Sequence, residues 1–304
     1  MDTRGITLVV VSVLIVIALV IVLVVSLTTP STSVPTVNAS PDVVLSYNAF
    51  KQTYTSPPTC TTRIPKLMVR TSHNKYTSMV EPLYNVIKTT KEKHSDYTIV
   101  YLEDDDCIDF IKEYYPEHLA GYMSLIPGAY KADIFRILFL YTYGGFYNDC
   151  SQSYYVPCED FLDFDTHRVV LVNDRYSEGI YNAFIASTAG HPLIKQMIDT
   201  VMSSVNTKDY GRGPLDITGP NACMRAFNTY YHMPQTFRLT GEYFYPDGSI
   251  KVLHHISEEC GTIVDTNKRK IIKNKFPNYQ KIMYSNFKKI HYGDLWNTRA
   301  VYKV

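Results

Sequence analysis

The 304-residue sequence has little of several features that would assign it to a common class of proteins. Its formal net charge is only +1, so it has no excess of positive charge that would attract nucleic acid or an anionic surface. It has no G-x-S-x-G segment, no G-x-x-x-x-G-K-[S/T] loop and no G-x-G-x-x-G fingerprint. These absences argue against a serine hydrolase of the common type, a P-loop nucleotide-binding protein and a dinucleotide-binding enzyme.

Cysteine is also sparse, and its six occurrences contain no C-x-x-C pair. The spacing is unlike that of a zinc site. In an oxidising compartment some of the thiols would form disulfides, but the sequence does not say which. The cysteines are Cys60, Cys107, Cys150, Cys158, Cys223 and Cys260.

The N-terminal region is the one long hydrophobic run. Residues 6–27 are almost wholly apolar and, as a helix, would cover roughly 30 Å, enough to span a bilayer. A cleaved signal peptide is the alternative, although its apolar region usually has only about 7–15 residues. Arg4 precedes the run and the next basic residue is Lys51, which favours a cytosolic N-terminus. The sequence predicts a cytosolic tail at residues 1–5 and a transmembrane signal anchor at 6–27.

The segment after this run, residues 28–60, is rich in Ser, Thr and Pro and has few apolar residues. We interpret it as a stalk that separates the membrane from a single catalytic domain at residues 61–304. The resulting topology is that of a type II membrane protein with a luminal catalytic domain. A Golgi or endoplasmic reticulum membrane is the expected location, with a viral or bacterial envelope as the alternative.

The domain alternates short β-rich runs with helical stretches, which indicates an α/β fold with a mostly parallel sheet flanked by helices. Ligands of such sheets bind beyond the carboxyl ends of the strands, so residues that follow strands are the first candidates for a site. The predicted strands are Lys66–Arg70, Tyr97–Leu102, Val169–Asn173 and Tyr181–Ala186. The predicted helices are Pro82–His94, Ala129–Tyr143 and Pro192–Val205.

The most informative segment for chemistry is 129–151, an apolar helix followed by Gly144-Gly145 and a short strand that ends at Asp149. Asp133 and Arg136 lie three residues apart and so share one face of the helix. The pair forms either a simple ion pair or part of a pocket that binds sugar hydroxyls. Asp149 suits a hard cation such as Mg²⁺ or Mn²⁺, which prefers carboxylate oxygens, although a lone Asp after a strand is more often a turn residue.

These residues resemble the glycosyltransferases with a DXD-containing sugar-binding region. That group includes the yeast initiating α-1,6-mannosyltransferase, the α-1,4-galactosyl- and α-1,4-N-acetylglucosaminyltransferases and, distantly, the glucosylating bacterial toxins. The resemblance extends from Ile64-Pro65-Lys66 to His291 and also includes Gly179–Asn182, His191-Pro192 and Thr218–Pro220. The central matches are Ala132-Asp133, Arg136, Leu140, Gly144-Gly145, Tyr147 and Asp149.

The resemblance implies a GT-A fold, a nucleotide-diphosphate-sugar donor, Mn²⁺ or Mg²⁺, and retention of anomeric configuration. The expected reaction transfers a hexose or N-acetylhexosamine to a glycan, glycolipid or glycoprotein. Asp133, Arg136 and Asp149 would be catalytic, and the same three would bind the donor together with Tyr147 and Trp296. The metal would be held by Asp149, Ser151 and His291.

The acceptor side is less specific in the sequence. Asn182 lies near a predicted strand end and His191 near a helix start, so both are candidates for acceptor contacts. Turn formation and helix capping are the alternative roles. The run Glu103–Asp106 also follows a strand, but four consecutive acids usually form a solvated turn, and we do not assign them to the site.

One departure from the family pattern concerns the second acid of the DXD motif, which is Ser151 here. A hydroxyl is a much weaker ligand than a carboxylate, so metal affinity should fall unless another group compensates. The chain would then be an enzyme with altered metal use or one that recruits another acid such as Asp294. The alternative is an inactive or weakly active homologue that acts as a membrane-anchored carbohydrate- or nucleotide-sugar-binding protein.

Overall fold

The computed structural model describes residues 34–175, 178–239, 241–284 and 290–303. Residues Thr36–Val304 form one compact unit. Within the described ranges, no helix combines the length and the apolar character needed to cross a membrane. The predicted cytosolic tail and transmembrane anchor, residues 1–27, lie outside these ranges.

The described residues form thirteen strands, most of them short. Their bounds are β1 Thr36–Val37, β2 Leu45–Ser46, β3 Leu67–Thr71, β4 Met79–Val80, β5 Thr98–Leu102, β6 Gly145–Asn148, β7 Ser153–Tyr154, β8 His167–Asn173, β9 Phe184–Ser187, β10 Tyr243–Tyr245, β11 Gly248–Ile256, β12 Thr262–Val264 and β13 Lys270–Lys273.

Nine α-helices connect or follow these strands in the described part of the chain. Their bounds are α1 Tyr47–Thr53, α2 Glu81–Lys93, α3 Asp104–Tyr114, α4 Pro116–Ser124, α5 Gly128–Tyr143, α6 Pro192–Asn206, α7 Pro220–Tyr230, α8 Tyr279–Tyr284 and α9 Tyr292–Asn297.

One large sheet organises the fold, with the strand order β2-β5-β3-β6-β9-β8-β11-β12-β13-β7 and β10 paired to β11. From β2 to β11 every strand except β9 runs in the same direction, since β9 pairs antiparallel with both β6 and β8. The strands beyond β11 pair antiparallel. The prediction of a mixed α/β fold with a mostly parallel central sheet is confirmed.

Two hydrophobic clusters cover the two faces of this sheet. Leu67 and Val69 belong to one cluster and Met68, between them, belongs to the other. This alternation follows from the two-residue period of a strand, and a strand buried on both faces has an unbroken apolar sequence. The parallel strands therefore share one carboxyl edge, which lies where ligands of α/β sheets bind.

Helix α5 crosses the first cluster and is apolar on nearly every side. Eleven of its residues are buried, among them Asp133 and Arg136. The helix ends at Gly144, whose φ is 69°, and Gly145 follows with φ of 91°. A Cβ at Gly145 would lie 2.3 Å from the carbonyl oxygen of Leu67 in β3, so only glycine allows β6 to begin directly beside that strand.

Most predicted elements lie within two residues of the observed ones. The exception is the predicted strand Tyr181–Ala186, which the structure places at Phe184–Ser187 and in the antiparallel direction. Residues before Phe184 form a turn, in which Ile180 makes an isolated bridge with Asn173. The direction of a strand depends on where its connection leads, which the local apolar pattern does not contain.

The predicted stalk, residues 28–60, needs a correction in its described part. From Thr36 onward it belongs to the compact unit, and β2 pairs in parallel with β5. The side chain of Ser46 accepts a hydrogen bond from the N–H of Ala49 and caps α1. Tyr47 and Phe50 of this helix are buried in the core. Two large aromatic residues are enough to fix a short helix, although the composition around them is typical of a linker.

Five cysteines have described side chains, and no disulfide joins any two of them. Cys60 is exposed, and the other four are buried. They are Cys107, Cys150, Cys158 and Cys223.

Candidate active site

The predicted acid Asp149 lies immediately after β6, at the carboxyl edge of the sheet. Its backbone N–H donates to the carbonyl of Ala183 at 2.9 Å, which ties it to the turn before β9. Helix α5 packs beside this edge and brings Asp133 and Arg136 to the same place. The Arg136 Nη2 lies 3.2 Å from Asp133 Oδ1 and 3.6 Å from Asp149 Oδ1. The sequence therefore correctly indicated which three residues meet.

Asp133 is buried and held by neutral donors as well as by Arg136. Its Oδ1 accepts from Asn182 Nδ2 at 2.8 Å and its Oδ2 accepts from Thr218 Oγ1 at 2.8 Å. Burial raises the pKa of Asp133 to about 6, against the opposing effect of Arg136 and these hydrogen bonds. Since a carboxylate has about four acceptor positions, one remains for a ligand hydroxyl.

Hydrogen bonds and an aromatic ring hold the guanidinium of Arg136 in one position. Its Nη1 donates to the carbonyl of Asn182, and its Nε donates to the carbonyl of Ala132 at 3.1 Å. The guanidinium lies over the ring of Tyr147, 4.4 Å from the ring centroid. A planar cation held by fixed acceptors and an aromatic face is rigid, which suits binding of a ligand in one orientation.

Tyr147, one of the predicted donor-binding residues, lies beneath Arg136 and Asp149. The residue is only 1% exposed, and its hydroxyl donates to Asp149 Oδ1 at 3.1 Å. The same hydroxyl lies 3.3 Å from Thr71 Oγ1 at the end of β3. A buried ring offers no surface to a ligand, so Tyr147 supports Arg136 and orients Asp149.

Asp149 is the most solvent-exposed residue of the cluster. Its side chain is 44% exposed, against 5% for Arg136 and 11% for Asp133. One of its oxygens is engaged by Tyr147, and the carboxylate reaches solvent. It is therefore the most accessible member of the cluster to a ligand.

Arg70, which was not among the predicted site residues, organises the loop from Asp149 to Gln152. Arg70 is the penultimate residue of β3, which pairs with β6, and is completely buried. Its Nη1 donates to the carbonyls of Gln152 at 2.8 Å and Cys150 at 3.2 Å and lies 3.5 Å from that of Asp149. Burial lowers the pKa of Arg70. A charged residue in the apolar run 67–71 is the sequence feature that could have indicated this role.

Ser151 does not serve as the predicted metal ligand in this geometry. It is 4% exposed, and its hydroxyl donates to the carbonyl of Asn274 at 2.8 Å. The Nε2 of the neighbouring Gln152 donates to Asn274 Oδ1 at 3.0 Å. The serine thus fastens the loop to the segment after β13, a role that a charged carboxylate could not take beside a carbonyl oxygen.

The C-terminal candidates His291 and Trp296 lie on or beside α9. His291 is exposed, and its Nδ1 accepts from the N–H of Gly293, which caps the helix. The Nε1 of Trp296 donates to the carbonyl of Tyr210 at 2.7 Å, which anchors the helix to the loop after α6. Among the residues that the structure describes, no three His, Cys, Asp or Glu side chains are grouped so as to hold a metal ion. The predicted set of Asp149, Ser151 and His291 is not assembled there.

The two acceptor-side candidates have separate positions. Asn182 lies at the carboxyl edge, but its side chain and its carbonyl are used to hold Asp133 and Arg136. His191 follows β9, and because β9 is antiparallel to β6, it lies at the opposite edge of the sheet from Asp149. It caps α6 by accepting from Leu193, the alternative role that the sequence allowed.

Another polar pair lies at the carboxyl edge. Asp174 follows β8 and His255 lies near the end of β11, and their side chains approach to 3.2 Å between Oδ1 and Nδ1. The ring of Tyr181 stacks on His255 with the ring centroids 4.2 Å apart. At about 4.8 Å per strand, this pair lies roughly 10 to 15 Å from Asp149 along the sheet. The sequence gave no indication of it, because its members come from separate strands.

A cavity of about 430 Å³ adjoins the cluster. It lies between the end of β3, the start of α3, the start of α5 and the C-terminal segment. Thr71, whose hydroxyl contacts Tyr147, is in its wall, as is Ala132 next to Asp133. Its size is that of a small-molecule site.

Residues 81–152 match the family model described as a glycosyltransferase sugar-binding region containing a DXD motif. This segment includes Asp133, Arg136, Tyr147, Asp149 and Ser151. The segment, about a quarter of the chain, is similar to a glycosyltransferase sugar-binding region. The chain is thereby related to glycosyltransferases, and in the sugar-binding region the motif has the form Asp149-Cys150-Ser151.

The names of two curated relatives also refer to mannosyl transfer or to a mannosyl product. The chain is 31% identical over 135 residues to inositol phosphoceramide mannosyltransferase 3 of Schizosaccharomyces pombe, a match that covers 44% of this chain and 36% of that protein. It is 28% identical over 155 residues to mannosyl phosphorylinositol ceramide synthase of Saccharomyces cerevisiae, which covers 51% and 39%. The matches span less than half the length of each relative. Among solved structures, one titled PaToxG glycosyltransferase has a TM-score of 0.41 at 16% identity and covers 60% of this chain and 75% of that one.

The cluster of Asp133, Arg136, Tyr147 and Asp149 has one exposed carboxylate, that of Asp149, which a divalent cation could reach. Mg²⁺ is often bound by one or two protein carboxylates, with substrate phosphates and water completing its shell. Asp149 fits that arrangement, whereas Ser151 does not contribute to it. A single protein carboxylate therefore suits a cation that arrives bound to a diphosphate better than a cation that the protein must bind alone.

Proposed function

We propose that this protein is a glycosyltransferase with a GT-A fold that uses a nucleotide-diphosphate-sugar donor and retains anomeric configuration. The main support is the cluster of Asp133, Arg136, Tyr147 and Asp149 at the carboxyl edge, with a cavity of about 430 Å³ beside it. The names of the yeast relatives favour mannose as the transferred sugar and an inositol phosphoceramide as the acceptor. The predicted anchor at residues 6–27 favours a secretory-pathway membrane.

In this proposal the buried residues orient the donor sugar. Arg136, fixed by Asn182 and Tyr147, donates to sugar hydroxyls, and Asp133 accepts from one of them. Rigid donors and acceptors of this kind stabilise developing charge without reorganising during the reaction. Asp149 faces the diphosphate and would hold its divalent cation, which would neutralise the leaving group.

The acceptor would approach from the side of β8 and β11. Asp174 and His255 lie at that part of the carboxyl edge, where the two side chains are buried against each other. The proton of the attacking hydroxyl can pass to the departing diphosphate. A dedicated general base is therefore not required.

The decisive experiment compares Asp149→Asn with wild type in the full-length chain, measured by release of nucleotide diphosphate from GDP- and UDP-sugars with and without acceptor lipid. The substitution keeps the side-chain volume and the contact with Tyr147, and a loss of about 100-fold or more in kcat/KM is expected, as for other electrostatic groups in active sites. Asp165→Asn, at an exposed site, is the matched control. Unchanged turnover in Asp149→Asn would overturn the assignment.

A binding-only homologue is the second candidate, and the use of Ser151 as a structural donor favours it. The two functions differ in one measurement. An enzyme releases the nucleoside diphosphate from one sugar nucleotide in the presence of acceptor, whereas a binding protein shows saturable binding of the same sugar nucleotide without release.

A further inference from the structure

Tyr292 lies in α9, directly beside the cluster of Asp133, Arg136 and Asp149. Its ring packs against that of Tyr130 in the first turn of α5, with the ring centroids 5.7 Å apart. Tyr130 and Asp133 are three residues apart and so share one face of α5. The contact between the two rings therefore places Tyr292 next to the buried acid of the candidate site.

The hydroxyl of Tyr292 is available to a ligand. In the part of the chain that the structure describes, no protein group donates to it or accepts from it, and it is not sealed from solvent. Neighbouring tyrosines differ in this respect. The hydroxyl of Tyr130 donates to the carbonyl of Pro214 at 2.6 Å, and that of Tyr210 donates to the carbonyl of Arg299 at 2.7 Å.

Two buried acids act on this hydroxyl from different sides of the site. Burial raises the pKa of Tyr292, and the negative charges of Asp133 and Asp174 raise it further. Asp133 belongs to the donor side, and Asp174 follows β8 at the part of the carboxyl edge from which the acceptor would approach. The phenol therefore stays protonated at neutral pH and can act as a hydrogen-bond donor.

Helix α9 is anchored well enough to hold this hydroxyl in one place. The Nε1 of Trp296 donates to the carbonyl of Tyr210 at 2.7 Å, and Leu295 is buried. Ile290 and Leu295 line the cavity of about 430 Å³, whereas Tyr292 is not part of its wall. The C-terminal segment thus contributes apolar side chains to the cavity and, separately, a hydroxyl beside the reaction cluster.

We propose that Tyr292 binds the transferred sugar, donating its hydroxyl to a sugar oxygen next to the hydroxyl from which Asp133 accepts. This inference rests on the proposed function, since it takes the ligand to be a sugar nucleotide. Adjacent hydroxyls of a sugar ring are close enough for one acceptor and one donor of the protein to bind two of them together. Tyr292 and Asp133 form such a pair, because one donates and the other accepts.

The diphosphate is the other part of the donor that a phenol could contact. The charges of Asp133 and Asp174 would repel a diphosphate at the position of Tyr292, whereas a neutral sugar meets no such repulsion. Asp149, which could hold a cation, is the member of the cluster that suits the diphosphate. Contact between Tyr292 and the diphosphate is therefore disfavoured, and it is one outcome of the test.

The test compares wild type with Tyr292→Phe by calorimetry on the full-length chain in detergent with Mn²⁺. The ligands are GDP-mannose with GDP, and UDP-glucose with UDP. Phenylalanine keeps the ring on Tyr130 and removes a hydroxyl that has no partner among the described residues, so the Tm should not change. For the pair that wild type binds, the variant should bind the sugar nucleotide about 3- to 10-fold more weakly, since one neutral hydrogen bond is lost. The affinity for the free diphosphate should stay the same.

The decisive quantity is the Kd of the sugar nucleotide divided by the Kd of its free diphosphate, because this ratio does not depend on the fraction of folded protein. Tyr84→Phe is the matched control, since Tyr84 is a partly buried tyrosine packed against the cluster on the other face of the sheet. Its ratio should equal that of wild type. A ratio that does not rise in Tyr292→Phe would overturn the sugar contact and leave the proposed function intact. If wild type binds neither sugar nucleotide, both are overturned.

Discussion

At the scale of single residues, the candidate site consists of one exposed acid supported by buried charges. Asp149 faces outward, while Arg136 and Asp133 are almost fully buried. Buried charges are costly unless they are paired and hydrogen-bonded, and here each is. The arrangement keeps Asp149 in one position because Tyr147 and Arg136 both contact the same oxygen, Oδ1.

Asp133 gives the stability of the protein a pH dependence that can be measured. Its folded pKa of about 6 lies above the ordinary value of 3.8, so the folded state holds this proton more tightly than the unfolded state. The contribution to stability is therefore present below about pH 4 and is lost as the pH rises to about 6. It amounts to about 3 kcal/mol.

The measurement is the free energy of unfolding in denaturant at pH 4 and pH 7 for wild type and Asp133→Asn. Relative to the variant, wild type should lose about 2 kcal/mol between the two pH values, since at pH 4 the unfolded-state carboxyl is already partly ionised. Asp199→Asn, at an exposed position paired with Lys195, serves as the control and should follow wild type. A constant difference between wild type and Asp133→Asn would contradict the raised pKa.

Arg70 should affect donor binding although it is too deeply buried to touch the donor. Arg70→Met removes the donors for the loop carbonyls and should cost about 2–4 kcal/mol of stability. Arg70→Lys keeps the charge but not the fork geometry. We expect it to fold, with the KM for the donor raised about 10-fold and kcat changed less, because the loop that carries Asp149 loses part of its support.

Steady-state kinetics and thermal unfolding of both variants check this role. Arg63→Met, an exposed arginine paired with Asp165, is the matched control and should leave both quantities unchanged. If Arg70→Lys has the donor KM of wild type, the loop does not depend on the guanidinium.

At the scale of elements, the unit of α5, two glycines and β6 places the cluster. Helix α5 carries Asp133 and Arg136. The turn at Gly144 and Gly145 reverses the chain direction, so that β6 brings Asp149 beside these two residues. Both glycines have positive φ, and both are closely surrounded by other parts of the chain. The local sequence therefore contained nearly all the information for this unit.

Two glycine substitutions in this unit should have opposite effects. Gly145→Ala combines a strained φ of 91° with a Cβ 2.3 Å from the Leu67 carbonyl oxygen and should cost about 3–5 kcal/mol. Gly128→Ala, at the first residue of the same helix, has no atom within 4 Å of the new Cβ and should be neutral or stabilising by up to about 1 kcal/mol. Chemical denaturation measures both. A Gly145→Ala variant as stable as wild type would show that β6 can move away from β3.

At the scale of the whole molecule, the C-terminal segment, which is distant in sequence from β3, α3 and α5, contributes to the wall of the cavity. The N–H of Ile126 donates to the carbonyl of Val301 at 2.8 Å, and the N–H of Lys303 donates to the carbonyl of Ser124 at 2.7 Å. These bonds hold the C-terminal residues against the loop before α5. Leu295 thereby becomes part of the cavity wall beside residues of α3 and α5.

The sequence by itself determined several of the helices and strands and the grouping of Asp133, Arg136 and Asp149, because these depend on local periodicity, glycine conformation and spacing along one helix and one strand. Only the tertiary structure decided the direction of β9, which moves His191 to the far edge, and the burial of Arg70 and Ser151. It also decided the pairing of Asp174 with His255 and the cavity between β3, α3, α5 and the C-terminal segment. These features join residues from separate strands and helices, so they depend on register and chain direction, which no local pattern records.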